Sequence, residues 1–177
     1  QMRFLNQHFN IISLTEAVEG LKSQSIEGPT AVITFDDGYL NNYDIAWPVL
    51  KKHNIPATIY ITTKLIDSDS SIWTAKLQEI FGNTKLKDIT WRQEYYDLSS
   101  SNEKSNSLRK IKSLLKKEHV SVIEKEVDNL AKELNGGATL EIGTDSPYRM
   151  MTSKMVAEMN KSDLIDFGAH THNHPIL

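Results

Sequence analysis

The chain has 177 residues, 39% hydrophobic and 24% charged, with a net charge of -3. This is the profile of one ordinary globular domain and argues against a nucleic-acid binder. No stretch approaches the roughly 20 apolar residues of a membrane span, the first residues lack the pattern of a signal peptide, and zero cysteines exclude disulfides and thiolate ligands, so any transition metal must be held by histidine and carboxylate.

Met2, Leu5 and Phe9 stand at near-helical spacing, and residues 11–14 read as a short strand. Thr15 is the predicted N-cap of a helix reaching about Gln24, with Ala17, Val18 and Leu21 inward. The apolar run 31–35, bounded by Gly28-Pro29 and Gly38, predicts a strand buried on both faces, as in a parallel sheet. It stops at Asp36-Asp37. Two adjacent carboxylates repel and are costly to desolvate, so Asp-Asp-Gly reads either as a solvated turn or as a site holding a compensating cation. Residues 40–47 are expected to form a loop, and Pro48 to occupy the first position of a helix that ends at Asn54 before Pro56. Residues 57–63 are again β-branched and apolar. Strand, helix and strand in some thirty residues make a βαβ unit with parallel strands.

From 64 to 148 the pattern becomes helical. Ile72, Trp73, Leu77, Ile80 and Phe81 form one stripe, residues 86–106 look polar and irregular, and two further stripes follow. These are Leu108, Ile111, Leu114 and Leu115, then Ile123, Val127, Leu130, Ala131 and Leu134. Lys110, Lys112, Lys116 and Lys117 read as a solvated helix face. The excursion is long for a βα connection and is expected to be a helical insertion or lid in a single domain. Asn135-Gly136-Gly137 ends its last helix, Ser146-Pro147 marks a loop, and Thr152 can cap a helix carrying Met155, Val156 and Met159. A short strand, 164–169, leads into His170, His172 and His174, three of the six histidines within five residues. That density favours a metal site, and Pro175 argues against a helix through it.

Two parallel strands ending in Asp-Asp and in His-x-x-x-His would place these groups on one edge of a sheet, where α/β folds form active sites. One carboxylate and two imidazoles leave coordination positions open, the mark of a catalytic centre. Zinc is the first expectation and Fe(II) the second. The other carboxylate is then available as a base toward water.

Thr34-Phe35-Asp36-Asp37-Gly38-Tyr39, Pro48-Val49-Leu50-Lys51-Lys52, Ile55-Pro56-Ala57-Thr58 and Gly168-Ala169-His170-Thr171-His172-Asn173-His174-Pro175 together resemble the polysaccharide deacetylases of the NodB-homology type, carbohydrate esterase family 4. The resemblance implies a distorted (β/α) barrel and metal-dependent hydrolytic deacetylation of N-acetylated sugars in a polysaccharide such as chitin, peptidoglycan or poly-N-acetylglucosamine. It implies Asp36 as general base, Asp37, His170 and His174 as ligands of Zn2+ or another divalent metal, and Thr171 as the residue whose hydroxyl orders the loop. His172 falls at a variable position, and Tyr39 is assigned to substrate binding. The family's later motifs, an Arg loop, an Asp loop and a Leu-x-His segment carrying the general acid, are not found. Residues 1–177 are therefore expected to be the first two thirds or so of a catalytic domain, an incomplete barrel with an insertion over about 64–148. An exposed sheet edge would then favour a homo-oligomer. A cell-envelope or extracellular location follows from the resemblance alone. The rival readings are a non-hydrolytic sugar-binding or scaffold protein of the same fold and a non-haem Fe(II) enzyme.

Overall fold

The computed structural model describes residues 1–137 and 142–175. Residues 1–68 and 149–172 form one compact unit, and residues 69–148 make up the bulk of a second.

The first unit opens with α1 (Met2–His8), β1 (Asn10–Ile11) and α2 (Leu14–Ser23). The cap of α2 is Ser13, not Thr15. The Ser13 hydroxyl accepts from the Glu16 amide at 3.1 Å while the Glu16 carboxylate accepts from the Ser13 amide at 2.8 Å. This reciprocal box satisfies two donors that the first turn leaves open, so the helix starts early and β1 stops at Ile11.

The apolar run after Pro29 is not one buried strand. It divides into β2 (Thr30–Ala31), parallel to β1, and β3 (Thr34–Phe35), which pairs elsewhere. Ala31, Val32, Ile33 and Phe35 are half-buried and Thr34 is exposed, because β3 is the edge of its sheet. Residues 40–47 are also more regular than expected. Asn42–Ala46 form a π-helical turn that runs into α3 (Trp47–His53). The Trp47 amide bonds the Asn42 carbonyl five residues back, and Pro48 has no N–H to draw the turn tighter. The end of α3 is as expected, with Asn54 left-handed at φ 52° and its amide shared by the Leu50 and Lys51 carbonyls.

β4 (Ala57–Ile61) then lies parallel to β3, with Thr34 opposite Thr58 and Phe35 opposite Ile59. It is shorter than the apolar run suggests, since Thr63–Leu65 turn into a 3-10 helix.

In the second unit, α4 (Trp73–Asn83) buries Trp73, Leu77, Ile80 and Phe81. Residues 86–106 are not irregular. They contain an antiparallel hairpin, β5 (Asp88–Trp91) and β6 (Glu94–Asp97). Its two-residue turn, Arg92-Gln93, has both φ angles positive (51° and 67°), matching the strand twist without the usual Asn-Gly. Ile89, Trp91, Tyr96 and Leu98 alternate inward under that hairpin. α5 (Ser101–Leu115) and α6 (Val120–Leu134) follow, burying Leu108, Ile111, Leu115, Ile123, Val127 and Leu130. Leu114, expected in the same stripe, is exposed at the flank of the helix.

The chain re-enters the first unit with α7 (Ser153–Met159), capped by the Thr152 hydroxyl as expected, and β7 (Ile165–Ala169). β7 runs parallel to β4 from Ala57 opposite Ile165 to Ile61 opposite Ala169, giving the order β3-β4-β7. Trp47, Leu50, Ile55, Ile59, Met151, Met159 and Ile165 make the core beneath. Among the described residues the sheets have two, three and two strands and none closes. This is an α/β arrangement of an incomplete barrel. Among the described residues no helix is long and apolar enough to cross a membrane.

Asp67 ties the loop after β4 to the start of α7. Its carboxylate accepts from the Ser153 amide at 2.9 Å, and the Ser153 hydroxyl and amide hold its pKa below the ordinary carboxylate value. A carboxylate lowered in the folded state adds stability above its unfolded pKa, and that contribution is lost as pH falls through the folded value. Asp67→Asn keeps an acceptor and suits the left-handed φ of 60° but cannot titrate. Between neutral pH and acid the denaturant midpoint should therefore fall further in the native protein than in Asp67→Asn, and equal losses would remove this role.

Candidate metal centre and active site

The end of β3 and the extension of β4 are joined by backbone hydrogen bonds before any side chain is considered. The Thr62 amide donates to the Asp37 carbonyl at 3.1 Å, the His170 amide to the Ile61 carbonyl at 2.8 Å, the Thr63 amide to the Thr171 carbonyl at 3.3 Å and the Lys64 amide to the His172 carbonyl at 2.9 Å. The few residues after β4 thus hold both the Asp-Asp turn and the first part of the His loop. On the other side of the turn, the Met151 amide donates to the Gly38 carbonyl at 3.0 Å and Tyr39 bridges Met150.

Asp37 sits at φ 76°, and the Gly38 amide donates to the Asp36 carbonyl across it at 2.9 Å. This is the rarer, strained kind of γ-turn for a non-glycine residue. Thr171 (φ 63°) and His174 (φ 52°) are also left-handed. Such conformations cost on the order of 1–3 kcal/mol each and persist where surrounding contacts over-determine them, as at functional sites. A β-branched residue such as Thr171 is the least suited of the three.

These turns bring Asp37, His170 and His174 together, with one ligand-capable atom from each within 4.8 Å of the others and all three side chains half-buried. His170 Nε2 and Asp37 Oδ1 are 3.5 Å apart. That separation exceeds an ordinary hydrogen bond and is close to the roughly 3.4 Å between two donors that each lie about 2.1 Å from one tetrahedral ion. One carboxylate and two imidazoles in this spacing fit a divalent metal with three protein ligands.

Asp36 is exposed beside this group and outside it. His172 turns to a structural contact, its Nδ1 lying 3.0 Å from the Thr63 hydroxyl. Tyr39 is half-buried next to the turn. Of the remaining histidines, His119 caps α6 and the ring of His8 packs on Phe4 at 4.4 Å. Sequence reasoning passed over Thr62 and Thr63. Thr62 is fully buried and its hydroxyl reaches toward the His170 carbonyl at 3.5 Å. The only signal available was two polar residues closing an apolar run.

Gly38 is constrained twice. It has φ 83°, and an added Cβ would lie 3.0 Å from Ile61 Cγ2. Gly38→Ala should therefore lower stability by about 1–2 kcal/mol from the left-handed backbone alone. It should also disturb the neighbouring Asp37. Urea unfolding and metal titration of the variant check both effects, and an unchanged midpoint would mean that the turn relaxes freely.

A family model described as polysaccharide deacetylase matches residues 23–177. The Bacillus subtilis (strain 168) protein described as "Putative polysaccharide deacetylase YxkH" is 43% identical over 49 residues, which are 28% of this chain and 18% of that protein. Among solved structures, the BpsB deacetylase domain from Bordetella bronchiseptica aligns at a TM-score of 0.44 and 17% identity, covering 97% of this chain and 42% of that one. A de-N-acetylase from Aggregatibacter actinomycetemcomitans aligns at 0.42 and 15%, covering 96% and 41%. The chain thus spans less than half the length of either structure.

Proposed function

The chain belongs to the polysaccharide deacetylase family, and from that premise we propose that it takes part in hydrolysing N-acetyl groups from amino sugars of a polysaccharide at a metal centre made by Asp37, His170 and His174. The observation that carries this reading is the convergence of those three side chains, two of them on left-handed backbone, with the exposed carboxylate of Asp36 adjacent in sequence.

The reaction breaks the amide C–N bond by addition of water, leaving acetate and a free amine on the sugar. A divalent metal, zinc first, would polarise the carbonyl oxygen and make the attacking water more acidic. Asp36 would accept the proton of that water, a task suited to a carboxylate that is not itself a ligand. Asp37 would supply the anionic ligand, and the two imidazoles would each give one nitrogen. The Thr171 hydroxyl would order the His loop, and Tyr39 would contact the sugar. We further propose that residues 1–177 are part of one catalytic domain, with the helices and hairpin of about 64–148 inserted into it.

The direct test is acetate release from chitin oligosaccharides and from poly-N-acetylglucosamine, with added zinc and with chelator. Release that is metal-dependent supports the reading. Glycan binding without release would favour a scaffold role, and oxygen-dependent turnover with iron would favour the non-haem alternative.

A further inference from the structure

The lysine-rich helix α5 contains a feature that a merely solvated face does not require. With α4 it walls a groove of about 650 Å³ in the second unit. Three cations line it, Arg109 and Lys112 on α5 and Lys116 at its C-terminal cap, following one another at the three- and four-residue steps that stack side chains along one helix face, about 4.5–6 Å apart along the axis. No aspartate or glutamate lines the groove. None of the three cations forms an ion pair with a described residue, and their polar partners are neutral. Lys112 Nζ donates to Gln78 Oε1 at 3.3 Å, a long bond, and Arg109 donates to the Asn106 side-chain oxygen.

Thr74 and Ser113 add hydroxyl groups to the same lining, while the Ser105 hydroxyl donates to the Ser101 carbonyl at 2.9 Å. Burial pushes the Lys112 ammonium pKa down and Lys116 pushes it further, with no carboxylate opposing them. The protein as a whole is acidic, at -3, so this concentration of positive charge is local. We propose that the groove binds a phosphate-class oxyanion, its oxygens taken by the Arg109 guanidinium and the Lys112 and Lys116 ammonium groups. The planar guanidinium matches two oxygens of such a group at once, and the ammonium groups act as point charges. The lining contains no aromatic ring on which a base could stack, so a nucleic acid is not the expected source. The remaining sources are a free phosphate or the phosphodiester of a polymer backbone.

Isothermal titration of the whole protein at low ionic strength with inorganic pyrophosphate and with a poly(glycerol phosphate) chain tests this. Saturable binding that weakens steeply with salt is expected. Arg109→Gln and Lys112→Gln should each weaken it about tenfold, the equivalent of one hydrogen bond to a charged group. Arg109 is exposed, so its replacement leaves the fold intact, and Lys154→Gln, at an exposed lysine of α7 that does not line the groove, should leave affinity unchanged. Tighter binding of the polymer assigns the phosphodiester as the ligand, and equal binding per phosphate assigns the free anion. No saturable binding of either probe, or equal losses in Lys154→Gln and Arg109→Gln, overturns the proposal.

Discussion

Alanine at His170, His174 or Asp37 is expected to abolish metal binding and, with it, catalysis. Changes one shell outside a metal site already cost 10–100-fold in affinity, so loss of a direct ligand should cost at least about 100-fold. The effect is readable without substrate. An ion that binds only the folded protein stabilises it by about 2.7 kcal/mol at 100 times its dissociation constant. For a chain of 177 residues, that raises the thermal midpoint by roughly 5–11 °C. The native protein should show such a rise with zinc and its reversal by chelator, and the three alanine variants should show neither. Asp37→Asn separates the two demands on that position, because asparagine tolerates φ 76° yet carries no charge. Its metal-free stability should stay close to that of the native protein while zinc affinity falls. If any of the four variants kept the full zinc-dependent rise, that residue would not be a ligand.

How much of this was legible beforehand differs from element to element. The unit from β3 through α3 to β4 could be read because the chemistry is local: Pro48 opens a helix, Asn54 closes it, and Ile55-Pro56 forces the chain extended into β4. The partition of residues 30–35 could not, since nothing in Ala31-Val32-Ile33 interrupts a strand. The break arises because the first half pairs β1 and the second pairs β4, which is decided by distant segments. The Ser13 box was visible as Ser-x-x-Glu and was overlooked in favour of the later threonine. The β5–β6 hairpin was hidden because Arg92 and Gln93 are poor turn signals, and its inward residues Ile89, Trp91, Tyr96 and Leu98 are spread among charges. At the site, residue types and their position after strands pointed to Asp37, His170 and His174. The left-handed backbone that aims Asp37 and His174, and the bonds from residues 62–64 that hold the two loops, depend on the packed fold and leave no mark in composition.

Asp36→Asn is expected to separate chemistry from metal binding. Asp36 and Asp37 are neighbours in sequence, yet the γ-turn at Asp37 sends their carboxylates to different surroundings: Asp37 Oδ1 lies 3.5 Å from His170 Nε2, and Asp36 is solvent-exposed outside the ligand group. An amide at position 36 preserves size and the Asp36 carbonyl bond to the Gly38 amide but cannot accept a proton from water. Removing a positioned general base costs about 10²–10⁴-fold in rate, or roughly 3–5.5 kcal/mol of barrier. Acetate release should fall by that factor, with zinc affinity and the zinc-dependent rise in midpoint unchanged. That pattern differs in zinc binding from the one expected for Asp37→Ala, which loses both. Turnover near the native level in Asp36→Asn would mean that another group takes the proton. A loss of zinc in that variant would mean that the two aspartates share the metal.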